Sequence, residues 1–491
     1  METPSPRTLN RVVAVCVPVL LFLTLVAWAY ASSVGSSPDD DFHLASIWCG
    51  LGLREGLCED SGDPATRLVP DALLDASCFA HRPAISGACW DPTSEGLDEA
   101  AWLNTGPLYP PLFYAVMSVV AGPDIEASVL LMRIANAALA VGLLTATYFA
   151  LPPSLRAAVL VPSLVGVVPL GMFVIASTNP SSWALVSAAM TWLCLYGALG
   201  TTGRRQMMLC GLAVVGAVIG AGARADAAVF AVFGVVLAFI LGVRRGRSLR
   251  YPALTGAVIA VIAVAFYLSA GQGRAVVTGL GNDAPPLKTA DHISNILGIP
   301  GLWTGALGME GLGWFDTSLP VLVPVFAFGS FCAAAIIGLH RVEWRRAVAL
   351  GAAAAALWVV PFMLLAQSNW LVGWNLVQPR YILPLMIIML GVASATPRAL
   401  TDWTVPRVTI VGGMLSAAAA VALHVNISRY TTGSDQPSVD PGSGAEWWWS
   451  AFPSPMTVWI VGSVAFALVF ALLAVLQSAK RKAESAAGLD L

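Results

Sequence analysis

The sequence predicts an all-α integral membrane protein of about twelve transmembrane helices, with a large loop after the first that carries disulfides and juxtamembrane helices. Three observations lead there. Hydrophobic residues fill 57% of the 491 positions and charged residues only 11%, with a mean hydropathy of +0.76; a soluble domain carries roughly 25% charged residues. Apolar runs of about 20 residues, the length that crosses a hydrocarbon core, recur along the whole chain. Basic residues gather between alternate runs.

The expected spans cover residues 12–30, 129–151, 157–175, 184–199, 208–221, 227–243, 254–270, 320–339, 347–365, 382–395, 408–423 and 458–476. Arg7 and Arg11 precede the first span and Arg156 follows the second. Further basic groups are Arg204 and Arg205, then Arg244, Arg245, Arg247 and Arg250, then Arg341, Arg345 and Arg346, then Arg398 and Arg407, and last Lys480, Arg481 and Lys482. By the positive-inside rule these mark the cytoplasmic side. Segments 32–128, 177–182, 271–319, 367–381 and 426–456 then face outward, and the expectation is a plasma-membrane protein with both termini inside. Ala27, Ala29 and Ala31 have the small-residue spacing of a cleavage site. The apolar run before them is longer than a signal core, so a retained first span is expected. The chain reads as a single polytopic domain, 1–491.

Loop 32–128 holds Cys49, Cys58, Cys78 and Cys89, while Cys16, Cys194, Cys210 and Cys332 fall in apolar runs. Two disulfides are expected in an oxidising exterior. Four cysteines allow three pairings; the short separations favour Cys49 with Cys58 and Cys78 with Cys89. The absence of a CxxC spacing argues against zinc. This loop also contains more than half of the 28 acidic residues and only three basic ones, Arg54, Arg67 and Arg82. Most of its acids read as a solvated face.

Asp39, Asp40 and Asp41, between Pro38 and Phe42 with His43 beyond, differ because they abut the first span. A carboxylate near a membrane is a functional candidate by default, and burial can raise its pKa enough for it to act as a base. On a helix Asp39 and His43 share a face at i and i+4. The plainer alternative is that Asp39 caps a helix. Farther on, Asn104 through Tyr114 contains Tyr109, Pro110 and Pro111 and leads into a short apolar run ending at Ala121. Were that run a full span, every later basic group would flip outward, so a juxtamembrane or re-entrant helix is expected.

An acidic pair after the first span, with His43 at this spacing and a Tyr-Pro-Pro-Leu helix behind it, resembles the first outer loop of GT-C membrane glycosyltransferases. Residues 311–320, Gly-Leu-Gly-Trp-Phe-Asp-Thr-Ser-Leu-Pro, resemble signatures of a bacterial multi-pass family known as a domain of unknown function. Gln378, Pro379, Arg380, Tyr381 and Pro384 match it as well, as do Asn179 with Pro180 and Arg224 with Asp226. The resemblance implies a GT-C-like fold and transfer of a sugar from a polyprenyl-phosphate donor to an envelope glycan, lipid or protein acceptor. It implies Asp39 as the base, Asp40 orienting the acceptor or helping to hold a divalent cation such as Mg or Mn, and His43 hydrogen-bonding to either carboxylate.

A departing phosphate needs positive charge, and guanidinium forks suit it. Arg380, Arg224 and Arg133 are the candidates. Arg224 has a local ion pair with Asp226 as its alternative role, and Arg133 has snorkelling to the interface. Tyr109, Asn179, Trp314, Asp316, Gln378 and Tyr381 are expected to bind substrate. Asn282, Asp283, Asp291, His292, Trp303 and Glu310 add acids and rings suited to sugar faces. Trp370 and Trp374 fit an aromatic belt, and Trp447, Trp448 and Trp449, near Arg429, Tyr430 and Glu446, read best as interfacial anchors. His340 and His424 read as structural. Asn426, Ile427 and Ser428 form a sequon that a chance match explains.

No Walker loop, dinucleotide fingerprint, zincin motif or basic nucleic-acid patch is present. The rival function is a transporter or flippase of a lipid-linked glycan. Carriers place charge near the midplane and repeat their halves, whereas the polar residues here gather toward the outer ends. A non-catalytic scaffold for envelope assembly is the third reading.

Overall fold

The computed structural model describes residues 6–246, 248–272, 285–339, 342–373, 377–450 and 453–486. Arg247, Asn282, Asp283, His340, Arg341 and Trp374 lie outside the described residues, and of Arg7 only the backbone is described. The chain begins with α1 (Pro6–Tyr30) and then enters the loop, which holds α2 (Asp40–Trp48), α3 (Asp71–Leu74) and α4 (Leu112–Ser118). Then come α5 (Ile125–Ala150), α6 (Ala157–Val165), α7 (Leu170–Ile175), α8 (Ser181–Leu199), α9 (Gly203–Ala223), α10 (Ala225–Gly242) and α11 (Arg250–Ser269). The remaining helices are α12 (Thr289–Thr304), α13 (Leu322–Gly338), α14 (Trp344–Gln367), α15 (Pro379–Ser394), α16 (Ala399–Asp402), α17 (Val405–Thr431) and α18 (Pro455–Ala486).

Among the described residues, nine helices are long and apolar enough to cross a membrane, and three apolar stretches are shorter: Pro153–Val165, Leu322–Gly338 and Pro379–Ser394. Each expected span thus has an apolar helical counterpart. The expected run 157–175 is not one helix, however. Gly166 ends α6 and Pro169, which has no N–H to continue a ladder, precedes α7.

The expectation of an all-α chain needs two corrections. Loop 32–128 carries a small antiparallel sheet, β1 (Glu59–Asp60), β2 (Arg67–Pro70) and β3 (Leu97–Ala100), paired in that order. Leu68 and Val69 are too few to pattern a helix, and Val69 with Ala100 turns inward while the acids face solvent. Segment 271–319, expected as a loop, contains α12. At its start the Lys288 amide donates to the Asp291 carboxylate at 2.8 Å, and Ile299 and Leu302 supply its buried face.

Helix α8 is the centre of the bundle, with 94% of its apolar window buried. Neighbours reach it closely through small residues, as membrane helices must when no hydrophobic effect drives them together. A Cβ on Gly220 would stand 2.3 Å from Ser187 Oγ, and one on Gly234 would stand 2.9 Å from Trp192 Cβ. Peripheral helices keep bare apolar faces; Leu268 on α11 is 75% exposed, as a lipid-facing residue is. A second core joins the loop to one end of the bundle through Val34, Trp48, Phe113, Tyr114, Trp183 and Trp447. Disulfides Cys49–Cys58 and Cys78–Cys89 staple that loop, in the pairing favoured by separation.

Candidate functional site

The chain leaves α1 through a stretch of small residues whose carbonyls would be unsatisfied in an apolar setting. Arg133 on α5 meets them: Nη1 donates to the carbonyls of Ala29 (3.1 Å) and Ser32 (2.5 Å), and Nη2 to the Ser33 carbonyl (2.7 Å) and the Ser36 hydroxyl (3.1 Å). The Asn426 amide donates to Ala31 O and Ser32 Oγ. Next, Asn179 Nδ2 donates to the Pro38 carbonyl at 2.9 Å, while its own turn rests on Asn136, whose amide donates to Ser177 O. The acidic knot is therefore held at its base from α5, from α17 and from the turn that precedes α8.

Asp39 sits immediately before α2 with φ 63° and ψ 20°, and its carbonyl accepts the amides of Phe42 and His43. Its side chain makes no capping hydrogen bond. The carboxylate instead receives Arg380 Nη2 at 2.5 Å, across 341 residues of sequence. This removes the plainer reading of Asp39 as a side-chain cap. Burial pulls the Asp39 carboxyl upward, but the charge and hydrogen bond of Arg380 outweigh it and hold the group below its usual range.

Asp40 is wholly buried, and its oxygens accept the Thr178 hydroxyl (2.9 Å) and the Ser37 amide (3.0 Å). Burial pushes its pKa up to about 7 against the nearby Arg133 charge. Asp41 is exposed and caps its own neighbour, Phe42. His43 is also fully buried, with Nδ1 2.9 Å from the Tyr114 hydroxyl. Burial pushes its pKa down to about 3, so it stands neutral at physiological pH, and its buried Nε2 has no partner among the described residues.

On the other side, Gln378 is extended and Pro379 occupies the first position of α15, where a missing amide costs nothing. Arg380 is thereby aimed out of the first turn. Its side chain is only 1% exposed, and among the described residues neither Nε nor Nη1, both buried, has a partner. Gln378 Oε1 is in the same condition. The Tyr381 ring lies 5.3 Å from the Arg380 guanidinium carbon and 4.7 Å from that of Arg224. Arg224 occupies the extended break between α9 and α10, gripped by Asp226 through Nε (2.9 Å) and Nη2 (2.7 Å), with Ser181 Oγ 3.3 Å from Nη1. Its guanidinium also reaches to 5.8 Å from the Tyr109 ring. Asp39, Arg380, Tyr381, Arg224, Tyr109 and His43 thus form one cluster at the loop-bearing end.

Other expected site residues have different surroundings. Both terminal nitrogens of Arg133 are engaged with backbone and Ser36, so it braces the knot and is not open to a phosphate. Asn179 positions Pro38. Trp314 Nε1 donates to the Gly35 carbonyl at 2.9 Å, and its ring meets His81. Asp316 forms a buried ion pair with Arg429 Nη2 at 2.8 Å, and Arg429 also holds the carbonyls of Phe79, Arg82 and Ile85. Those two residues lock the Cys78–Cys89 loop down instead of facing a sugar. Trp447 and Trp449 are likewise buried, Trp449 donating to the Tyr30 carbonyl, which displaces the expected anchoring role. Asn426 is buried too, so its sequon is closed to glycosylation. The sequence reading missed Thr178 and Ser181, gave Tyr114 no role although it stands inside the Asn104 to Tyr114 motif, and named Arg429 only as part of the last outer segment.

Among the described residues no three His, Cys, Asp or Glu side chains gather to hold a metal ion. The acidic pair does not fit a divalent cation, because Asp40 is taken by Ser37 and Thr178 and Asp39 by Arg380. An apolar cavity of about 140 Å³ between α1, α5 and α18 includes neither Asp39 nor Arg380, so it is not the reacting centre.

A multi-helix membrane protein whose helix ends converge on a buried, incompletely satisfied guanidinium is the class that fold and site define. The profile of the family described as Predicted membrane protein (DUF2142) matches residues 22–389, which include every member of the cluster, and the chain belongs to that family. None of the curated proteins matches it.

Proposed function

We propose that the protein is a GT-C-type inverting glycosyltransferase that moves a sugar from a polyprenyl-phosphate donor to an envelope glycan, lipid or protein acceptor at the extracytoplasmic face. The observation that carries the reading is the Asp39–Arg380 pair, in which a partly exposed carboxylate meets a guanidinium with two buried nitrogens still open. A buried donor without an acceptor costs roughly 1–3 kcal/mol, and an anion removes that cost. Phosphate oxygens suit a guanidinium fork. Charges paired so near the end of an apolar bundle fit a headgroup that stays attached to a lipid.

In the reaction, the acceptor oxygen forms a bond to the anomeric carbon while the bond from that carbon to the phosphate oxygen breaks. The electron pair leaves on the phosphate, stabilised by Arg380 and the more distant Arg224, and the acceptor hydroxyl proton passes to the Asp39 carboxylate. Neutral His43 offers hydrogen bonding without adding charge. Tyr381 and Tyr109 set ring faces beside the guanidinium groups, Tyr381 against both Arg380 and Arg224 and Tyr109 against Arg224.

The test is transfer of labelled sugar from a polyprenyl-phosphate donor by membranes containing the protein, with Asp39→Asn and Arg380→Ala as comparisons. New glycosidic product is expected with the wild type and is strongly reduced in both variants. Equal transfer by wild type and Asp39→Asn rejects Asp39 as the base, and donor movement without a glycosidic bond assigns the chain to the carriers.

A further inference from the structure

Among the described residues four arginines are buried at the loop-bearing end, and their hydrogen bonds separate them. Arg133 and Arg429 have both terminal nitrogens engaged and Nε alone open, and Arg224 is held through Nε and Nη2 by Asp226 and through Nη1 by Ser181. Arg380 has one nitrogen engaged, by Asp39, and two that are buried and open. Its partner is also the most exposed of the paired carboxylates: the Asp39 side chain is 33% exposed, against 25% for Asp226 and 5% for Asp316. The Asp39 backbone is pinned by Phe42 and His43, so the carboxylate can turn away without disturbing α2.

We infer that Arg380 is an exchange site, where a phosphate oxyanion displaces the Asp39 carboxylate and thereby frees it. The inference rests on the transferase reading and adds the order of events. Before the ligand arrives, two guanidinium charges, Arg380 and Arg224, face two carboxylates, Asp39 and Asp226. An incoming phosphate adds negative charge to a balanced cluster, and the carboxylate closest to Arg380 must give way. Detached from Arg380, Asp39 becomes a stronger base because the charge that depressed its pKa now serves the phosphate. When the acceptor proton reaches Asp39 as the bonding pair reaches the phosphate, the cluster's total charge is unchanged through the step.

The experiment is equilibrium binding of farnesyl phosphate and of inorganic phosphate to the full chain in nanodiscs, using wild type, Asp39→Asn and Arg380→Gln. Asparagine is chosen because it tolerates the left-handed backbone that position 39 adopts. Removing the competing charge is expected to tighten binding by about tenfold in Asp39→Asn, and Arg380→Gln is expected to abolish it. Tightening confined to farnesyl phosphate assigns the oxyanion to a lipid headgroup, and equal tightening of both assigns it to free phosphate; the exchange holds in either case. Unchanged or weaker binding in Asp39→Asn overturns it, as does absence of binding in wild type and Asp39→Asn alike. The transferase reading is judged separately: a tightened Asp39→Asn beside a wild type that forms no glycosidic bond keeps the exchange and discards the transferase.

Discussion

Asp39 stands in a left-handed conformation that few side chains other than glycine, asparagine and aspartate accept, and its partner is 341 residues away in sequence. On the proposed transferase reading, Asp39→Asn should lower transfer by at least about a hundredfold, measured as initial rate at saturating donor. Its depressed pKa also has a consequence for stability. The ion pair contributes above the ordinary carboxylate range and is lost only as the pH falls below it, so it persists throughout neutral conditions. Asp40 has the opposite sign. Its raised pKa means a contribution that is full below the ordinary carboxylate range and is lost as pH rises to about 7. The melting temperature of wild type should therefore exceed that of Asp40→Asn by more at pH 5 than at pH 8. At this scale Asp39, Arg380 and the Arg224–Asp226 alternative were legible from residue type and position. Whether a buried arginine is open or already engaged was not, because that depends on carbonyls donated by distant segments, as with Arg133 and Ser32.

At the scale of elements, the loop keeps its shape through one buried ion pair and two covalent links. Arg429 and Asp316 are both almost wholly enclosed, and breaking one partner of such a pair costs about 3–5 kcal/mol. Asp316→Ala should lower thermal stability in detergent by that order and leave Arg429 unpaired beneath the Cys78–Cys89 loop, read out as faster proteolysis within residues 78–89. Replacing Cys78 and Cys89 together by serine should cost about 2–4 kcal/mol, checked by the same melt, while non-reducing peptide mapping should recover the Cys49–Cys58 and Cys78–Cys89 links. Close approach matters as well: a Cβ on Gly50 would stand 2.4 Å from the Tyr114 carbonyl, so Gly50→Ala must push α4 away from α2. Helix α12 and the small sheet were missed here. Short elements carry too few apolar residues to stand out against a hydrophobic background, and the Asp291 carboxylate that receives the Lys288 amide in the first turn of α12 is a local signal easily lost in a segment assigned as loop.

Across the whole molecule, segments separated by hundreds of residues meet at a single end. Trp449 reaches Tyr30, Asn426 reaches Ala31, Asn179 reaches Pro38, Gly271 reaches Pro107 and Arg380 reaches Asp39. These are the helix ends that the distribution of arginine and lysine assigns to one side. Periplasmic and cytoplasmic reporter fusions should accordingly place residue 486 on the cytoplasmic side and residues 61–63 on the opposite side, and the reverse pattern would move the proposed chemistry to the cytosol.

Hydropathy and charge, read along the chain, determined the membrane class, the succession of apolar helices, the disulfide-bearing loop and the short list of charged residues worth following. Each depends on nearby residues: a span needs only its own apolar run, and a disulfide across 9 or 11 residues needs only a short loop. Tertiary structure decided which charges were already satisfied. It gave Arg133 and Asp316 to the scaffold, paired Arg224 with Asp226, and left Arg380 beside Asp39 with two nitrogens open. Hydrogen bonds and ion pairs act over about 3 Å, so their partners are chosen only once helices far apart in sequence have packed.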